Sequence, residues 1–393
     1  MNNFKKVALS VTAICSGFAM AGSYVAIIAP TTQVDFTIGD PNTPTNPPQP
    51  PANVQFDKVV SSFDFSYALD TNGNLWSVGV NYDGQLGLGD TNDREQWTKI
   101  TSISGVSDIH LGRDFAYAMV SGQLYSVGDN LNGQLGLGNK VDQTEFTATG
   151  FYPDFISTHF SSESAFFKKS GELYVVGDNS SGQLGLGNTT DQVSITATGV
   201  SIETATIGYK VGFYISSGQL FASGLSNSGQ LGLGSTTYTT TFTYTGLNAK
   251  AISVGFNSAY AIDHSNRLFV TGKNSSKELG LGHNIDQSTF INTGVSGVSA
   301  VQGGNSSAYY KQGNDLYAVG SNFRGNFGLG HNTNIENWTL VASNVDQYSV
   351  GNLNTFIKTN GEHKSSGQNG FGQLGVGDKS DKNTWTDLSL PTE

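Results

Sequence analysis

A six-residue segment recurs seven times along this chain of 393 residues. Its commonest form is Gly-Gln-Leu-Gly-Leu-Gly, and successive copies begin 49, 49, 47, 48, 48 and 47 residues apart. The copies begin at Gly84, Gly133, Gly182, Gly229, Lys277, Gly325 and Gly372. Self-similarity at a period of roughly 20 to 50 residues marks a repeat architecture, in which each copy is one supersecondary unit that packs on the next. We therefore expect seven like units in one structure, although the length alone would suggest two or three domains.

The register between the copies extends well beyond the six residues. A glycine stands five positions before every start, and a large apolar residue stands thirteen positions after it. The glycines are Gly79, Gly128, Gly177, Gly224, Gly272, Gly320 and Gly367, and the apolar residues are Trp97, Phe146, Ile195, Phe242, Phe290, Trp338 and Trp385. Variation in length is confined to the stretch that follows the apolar residue, so we predict that tolerant surface loops lie there.

Each unit is predicted to contain four short strands. In the second unit these are Val106–Leu111, Phe115–Met119, Leu124–Val127 and Glu145–Thr149, and both leucines of the hexamer are expected to point inward. Four short strands per unit are typical of a propeller blade, whereas no window shows the spacing of a helical solenoid. The prediction is an all-β, seven-bladed β-propeller of four-stranded antiparallel blades. The sequence leaves open whether blades coincide with units or whether residues 53–60 complete the last sheet.

The composition excludes some classes of function. The chain has 50 glycines, 20 basic and 31 acidic residues, and a formal net charge of −11. A nucleic-acid-binding protein would instead carry a clustered basic excess to neutralise phosphates. We therefore expect no nucleic-acid partner.

The first residues have the pattern of a secretory signal peptide. Lys5 and Lys6 precede an apolar run, and small residues around Ala21 suit a signal peptidase. We predict a signal peptide over residues 1–21, an extended segment with a proline-rich linker over 22–52, and the propeller over 53–393 in a secreted or periplasmic protein. Two alternatives are an uncleaved anchor that continues to Ile28 and a lipid-modified Cys15, the chain's one cysteine.

The unit Gly122–Gly138 reads Gly-x-Leu-Tyr-x-x-Gly-x-Asn-x-x-Gly-Gln-Leu-Gly-Leu-Gly and resembles the repeat of the regulator of chromosome condensation family. Seven registered copies extend the resemblance over about residues 54–393. It implies a seven-bladed propeller, and its secreted bacterial type, similar to β-lactamase inhibitor protein II, implies the binding of a protein. The chain departs from the family at Gly112-Arg-Asp-Phe115 and Gly255-Phe-Asn-Ser258, where the repeat commonly has Gly-x-x-His-Thr. Because the signal peptide separates the chain from nuclear GTPases, we do not expect nucleotide exchange.

The sequence signals for metal binding and catalysis are weak. An acid stands nine positions after five of the seven starts, at Asp93, Asp142, Asp191, Asp286 and Asp381. We expect these acids to form local Asx turns, with Asp90 and Asp93 the least improbable calcium ligands. His283 and His331 share a repeat position, but zinc needs three or four convergent ligands. No catalytic motif is evident, so we predict a protein that is not an enzyme and has no cofactor or metal.

Function is expected at positions that vary within the rigid repeat. The residues just before the hexamer are apolar or aromatic in the sixth, seventh, first and second units, which become neighbours once the ring closes. The predicted partner-binding residues are Tyr82, Leu131, Phe323, Arg324 and Phe371. Aromatic and arginine side chains dominate binding hot spots, so we expect a monomer that binds a protein. The alternatives are packing of these side chains under neighbouring loops, recognition of a glycan or cell surface, and an enzyme with its site in the central channel.

Overall fold

A computed structural model of the protein describes residues 54–392, and these residues form 28 strands in seven sheets. Each sheet has four antiparallel strands, so the predicted seven-bladed β-propeller is confirmed. The predicted signal peptide and linker lie outside the described residues. Between residues 54 and 392 there is no helix of the length and hydrophobicity that a bilayer span requires.

The strands of each blade follow one another along the chain. Blades 1 to 3 contain β1 (Phe56–Ser61), β2 (Phe65–Asp70), β3 (Leu75–Gly79), β4 (Arg94–Lys99), β5 (Val106–Leu111), β6 (Phe115–Val120), β7 (Gln123–Gly128), β8 (Gln143–Ala148), β9 (Phe155–Ser157), β10 (Ser164–Lys169), β11 (Glu172–Gly177) and β12 (Gln192–Ser201). Blades 4 and 5 contain β13 (Thr204–Gly208), β14 (Val211–Ser216), β15 (Gln219–Gly224), β16 (Thr239–Asn248), β17 (Ala251–Val254), β18 (Ser258–Ile262), β19 (Leu268–Gly272) and β20 (Gln287–Asn292). Blades 6 and 7 contain β21 (Ala300–Gly303), β22 (Ser307–Gln312), β23 (Asp315–Gly320), β24 (Ile335–Ala342), β25 (Val345–Val350), β26 (Asn354–Thr359), β27 (Glu362–Gly367) and β28 (Lys382–Asp387).

The order of strands in space is their order in the chain. The first strand of every blade lines a central channel, and the fourth lies at the rim. Phe56–Ser61 pairs with the second strand of its own blade, not with the last sheet, so blades coincide with sequence units.

An apolar cluster fills each of the seven seams between adjacent blades. The first apolar residue of every hexamer is fully buried in the seam that faces the next blade, as Leu86 and Leu135 show. Burial of one such side chain stabilises the fold by roughly 1.5–3 kcal/mol. The second apolar residue of the hexamer, for example Leu137, is only partly buried. Of the two leucines that were expected to point inward, only the first is therefore fully buried.

The backbone of the hexamer explains this difference. In five of the seven hexamers the last glycine donates its N–H to the outer strand of the next blade, as from Gly89 to the Thr144 carbonyl at 2.9 Å and from Gly138 to the Val193 carbonyl at 2.9 Å. Leu137 also forms a bridge with Ser194 of that strand. The second leucine therefore lies at the rim, where solvent reaches its side chain.

Blades 7 and 1 close the ring without sharing a strand. The backbone N–H of Val54 donates to the Pro391 carbonyl at 3.1 Å, and the Ser61 hydroxyl donates to Asn354 Oδ1 at 2.8 Å. Phe56 lies in the apolar cluster of this seam. Side-chain packing and a few hydrogen bonds therefore hold the closing seam.

Candidate functional site

The hexamers lie in the loops between the third and fourth strands, at the same end of the propeller as the turns between the first and second strands. We call this end the hexamer face, and the opposite end, with the hairpins between second and third strands, the hairpin face. The carbonyl of Asp64 in the first turn accepts the backbone N–H of Val80, where the first hexamer loop begins, at 3.1 Å. The two sets of loops therefore form one surface.

All five predicted partner-binding residues lie on the hexamer face, in blades 6, 7, 1 and 2. Tyr82 is 65% exposed, Leu131 67% and Phe323 51%. Arg324 is also exposed, whereas Phe371 is partly buried. We call this set the apolar arc. Its role in binding remains a prediction.

Arg324 links two blades of the apolar arc. Its Nη1 lies 3.1 Å from Asp381 Oδ2 of blade 7, and its guanidinium lies 5.4 Å from the centre of the Phe323 ring. These contacts connect Arg324 with the neighbouring blade and with the exposed ring next to it.

A cluster of acids lies beside the apolar arc on blades 1 to 3, and we call it the acidic cluster. Its members are Asp64, Asp83, Asp114, Asp129 and Glu163. Arg113 lies among them, with Nη1 2.9 Å from Glu163 Oε1 and Nε 3.4 Å from Asp114 Oδ2. Its guanidinium also lies 5.6 Å from the centre of the Phe63 ring.

The acidic cluster is partly desolvated. Burial raises the pKa of the Asp64 and Asp114 carboxyls to about 6, against the opposing effect of Arg113. Oδ1 of Asp64 is buried and has no hydrogen-bond partner among residues 54–392. We did not predict this cluster, although the sequence carries a signal for it. The residue before the second strand is acidic only in blades 1 to 3.

The acids nine positions after each start fasten the hexamer loops. Asp142 Oδ1 accepts the backbone N–H of Asn130 at 2.8 Å, and the equivalent bond recurs at 2.8 to 3.1 Å in the other four loops that have an acid there. The expected local Asx turn forms three residues earlier, as where Asp90 Oδ1 accepts the N–H of Asn92. The acids are thus structural as expected, but each bonds twelve residues back across the loop.

Substitution of Asp142 tests this fastening role. We expect Asp142→Ala to lower the free energy of unfolding by about 1.5 kcal/mol, because a charge-assisted hydrogen bond is lost. Asp142→Asn should retain most of the stability, since Asn334 makes the same bond to Asn322 at 3.0 Å in blade 6. Urea denaturation of both variants provides the measurement. Equal losses in the two variants would contradict this role.

The candidate metal ligands have protein partners. Asp90 Oδ2 lies 2.6 Å from Arg94 Nη2, and Asp93 Oδ1 accepts the N–H of Asn81 at 2.9 Å. His283 and His331 each accept, through Nδ1, a backbone N–H two residues on, at 3.2 Å. In the part of the chain that the structure describes, no group of three or more His, Cys, Asp or Glu residues is arranged to hold a metal.

Glu278 occupies the hexamer position where five other blades have a buried glutamine. Its Oε2 accepts the backbone N–H of Ser276 at 2.7 Å, and burial raises its pKa to about 6. Because the pKa of Glu278 is higher in the folded than in the unfolded state, the protein loses stability as the pH rises from 4.5, the pKa in the unfolded state, to about 6. The side chain is 2% exposed, so the loss is about 2 kcal/mol and is complete near neutral pH.

The variant Glu278→Gln removes this pH dependence. Relative to the unmodified protein, we expect its free energy of unfolding to rise by about 2 kcal/mol between about pH 4 and about pH 7. The reverse change, Gln134→Glu, is the control. It should destabilise blade 2 at neutral pH, because Gln134 Nε2 now donates to Asp129 Oδ2 at 2.7 Å. A pH-independent difference for Glu278→Gln would contradict the assignment.

The central channel contains a cavity of about 470 Å³. Its lining includes no aspartate or glutamate among the described residues. The carboxyls whose pKa is raised to about 6 at Asp64 and Asp114 lie on the hexamer face instead. His110, His159 and His363 line the cavity, and burial lowers the pKa of His159 and His363 to about 4.

Comparisons with known proteins agree with this architecture. A family model of the Regulator of chromosome condensation (RCC1) repeat matches residues 72–119. Human WBSCR16 is similar in structure, with a TM-score of 0.70, 17% identity, and coverage of 81% of this chain and 94% of that chain. Yeast RCC1 (Prp20) in its complex with Kap60 has a TM-score of 0.70 and 15% identity, with 91% of each chain covered.

A second structure of Prp20p from Saccharomyces cerevisiae has a TM-score of 0.69 and 16% identity, and covers 86% of this chain and 87% of that chain. No curated protein sequence matches the chain. The chain therefore carries an RCC1 repeat and has the fold of an RCC1-like propeller.

Proposed function

We propose that this propeller is a secreted or periplasmic, non-enzymatic module that binds a protein on its hexamer face. The observation that carries the proposal is the exposure of Tyr82, Leu131 and Phe323 on blades 1, 2 and 6, at one face of the ring. Large apolar side chains exposed together on a stable scaffold are typical of protein interfaces. Yeast RCC1, a protein with this fold, binds Kap60, which supports a protein as the partner.

The placement of tryptophan favours a protein partner over a glycan. All four tryptophans of the chain, Trp76, Trp97, Trp338 and Trp385, pack in or against seam clusters. Sugar sites commonly use an exposed aromatic ring as a platform, and the tryptophans do not supply one on the hexamer face.

Substitutions in the apolar arc test the proposal. The full chain is used as bait on extract of its own cell envelope, and the affinity of the captured protein is then measured. We expect Tyr82→Ala and Leu131→Ala each to weaken binding by about tenfold or more, because truncation of a hot-spot residue costs upward of about 1.4 kcal/mol. Phe371→Ala should have a smaller effect, since its side chain is partly buried.

The matched control is Ile285→Ala. Ile285 is 65% exposed, almost as much as Leu131, but lies on blade 5, outside the apolar arc. Its replacement should leave the affinity unchanged. Unchanged binding of the Tyr82 and Leu131 variants, or an equal loss with Ile285→Ala, would reject the hexamer face of these blades as the docking surface.

A further inference from the structure

Blade 3 departs from the repeat at its first turn. In blade 2, Ile109 of the first strand pairs with Ala118, nine residues later, and the same interval holds in blades 1, 4, 5, 6 and 7. In blade 3 the equivalent pair is Ile156 with Phe167, eleven residues apart. Two additional residues therefore enter the chain next to the channel, between Ile156 and the second strand.

The longer turn sends a histidine across the channel. His159 Nε2 lies 3.4 Å from the carbonyl oxygen of Gly303, which belongs to blade 6. Blades 3 and 6 are not neighbours in the ring, so this contact must span the channel. The imidazole is also held by Ser161 Oγ, 2.7 Å from Nδ1, and packs on the Phe160 ring at 4.0 Å.

The channel cavity lies on the far side of this histidine from the hexamer face. Its lining runs from the beginnings of the first strands, near Lys58 and Thr204, up to His159 and Phe160. At about 470 Å³ it falls within the range of small-molecule sites. His159 crosses the channel at the end next to the hexamer face, and the cavity reaches solvent at the hairpin end, where the side chain of Lys58 is 33% exposed.

Three polar side chains that line the cavity have hydrogen-bond donors that no protein acceptor uses among residues 54–392. Ser349 Oγ accepts the N–H of Ser61 at 3.2 Å, and Gln302 Oε1 accepts the N–H of Val350 at 3.2 Å. Ser253 Oγ likewise accepts a backbone N–H of the next blade, at 3.4 Å. In these bonds, side-chain oxygens accept the backbone N–H groups of the channel-lining strands. The two hydroxyl hydrogens and the amide NH₂ group then have no acceptor among residues 54–392 and can donate into the cavity.

Two ammonium groups lie at the hairpin end, and each is paired with one carboxylate that is not part of the cavity lining. Lys358 Nζ lies 3.0 Å from the Asp57 carbonyl and 3.4 Å from Asp57 Oδ1, and Lys58 Nζ contacts Asp108 Oδ1 and the Ile109 carbonyl. Each ammonium has three N–H donors, so one remains on each lysine. A cavity rich in unused donors, with lysines and no carboxylate in its lining, complements a ligand rich in oxygen acceptors.

We propose that the central channel is a blind pocket for a small, acceptor-rich anion of the sugar-phosphate or hydroxycarboxylate kind, which enters from the hairpin face and stops against His159. This site is independent of protein docking on the opposite face. The repeat accounts for the scaffold of the pocket, whereas the insertion in blade 3 accounts for its closed end.

Calorimetric titration of the full chain tests the pocket with glucose 6-phosphate and citrate as anionic probes and with glucose as the uncharged probe. We expect saturable binding of at least one anion and none of glucose up to about 10 mM. The two anions distinguish a phosphate from a carboxylate preference. Lys358→Met and Ser253→Ala should each weaken the binding, the lysine variant by about tenfold or more, because it removes a charged donor.

The matched control is Lys311→Met. Lys311 makes the equivalent bond in blade 6, from Nζ to the Asp346 carbonyl at 3.2 Å, but does not line the cavity. Its replacement should leave anion binding unchanged. The proposal is overturned if neither anion binds saturably, if glucose binds as well as the anions, or if the Lys311 and Lys358 variants lose affinity equally.

Discussion

Replacement of Gly177 by alanine is expected to lower the free energy of unfolding by more than about 3 kcal/mol. Gly177 has φ +96, a backbone conformation that side chains of L residues rarely adopt. A Cβ atom there would lie 2.4 Å from the Glu163 carbonyl oxygen and 2.8 Å from the Ser164 Cα. Both contacts are with backbone, so no side-chain rotation relieves them.

Gly150→Ala is the matched control for this experiment. Gly150 also has a positive φ, +74, but a Cβ there would meet nothing within 4 Å. Its replacement should cost only about 1 kcal/mol, the strain of a left-handed conformation. Urea denaturation of the two variants separates steric exclusion from backbone strain. A loss at Gly177 no larger than that at Gly150 would show that the close approach of the first turn does not require glycine.

Replacement of Phe56 by alanine is expected to cost about 3–5 kcal/mol, the usual range for a large side chain removed from a core. Phe56 is 4% exposed, and its ring centre lies 5.0 Å from that of Trp97 and 6.3 Å from that of Trp76. It lies in the seam between blades 7 and 1, where no shared strand closes the ring. The void left by the missing ring would therefore weaken the seam that side-chain packing and a few hydrogen bonds hold closed.

The measurement combines urea denaturation with hydrogen exchange. Exchange should accelerate first in blades 1 and 7, on either side of the weakened seam. Phe323→Ala is the control, because Phe323 is 51% exposed and its loss should change stability by no more than about 0.5 kcal/mol. Uniform acceleration over all blades, or a loss below about 1 kcal/mol for Phe56→Ala, would contradict the importance of this seam.

The sequence predicted the architecture because a repeat states the same physical constraint seven times. The glycine five positions before each hexamer has φ between +96 and +114 in every blade. Leu86 and its equivalents are buried at the same place in each seam. The seven sheets and their boundaries follow from this regularity. Once the four strands of one unit are assigned, the register assigns the strands of the other six.

The candidate sites were harder to predict because they depend on which residues meet across the ring. Asp64 and Glu163 lie 99 positions apart, yet both belong to one cluster around Arg113. The insertion that carries His159 falls in the stretch of variable length, which sequence reasoning assigned to tolerant loops. Its position beside the channel is visible only from strand register. The acids after the hexamers were recognised as structural, but their partner on the far side of the loop was not.

The hydrogen bond from Val54 to Pro391 brings the two ends of the propeller sequence together in the seam between blades 7 and 1. Each of the seven blades is made from one contiguous stretch of sequence. No blade contains a strand from the other end of the propeller sequence. The fold therefore depends little on which pair of neighbouring blades carries the chain ends. A circular permutant that links these two residues and begins between two other blades should fold into the same propeller. The fold is thus determined by the cyclic order of the blades, not by the position of the chain ends.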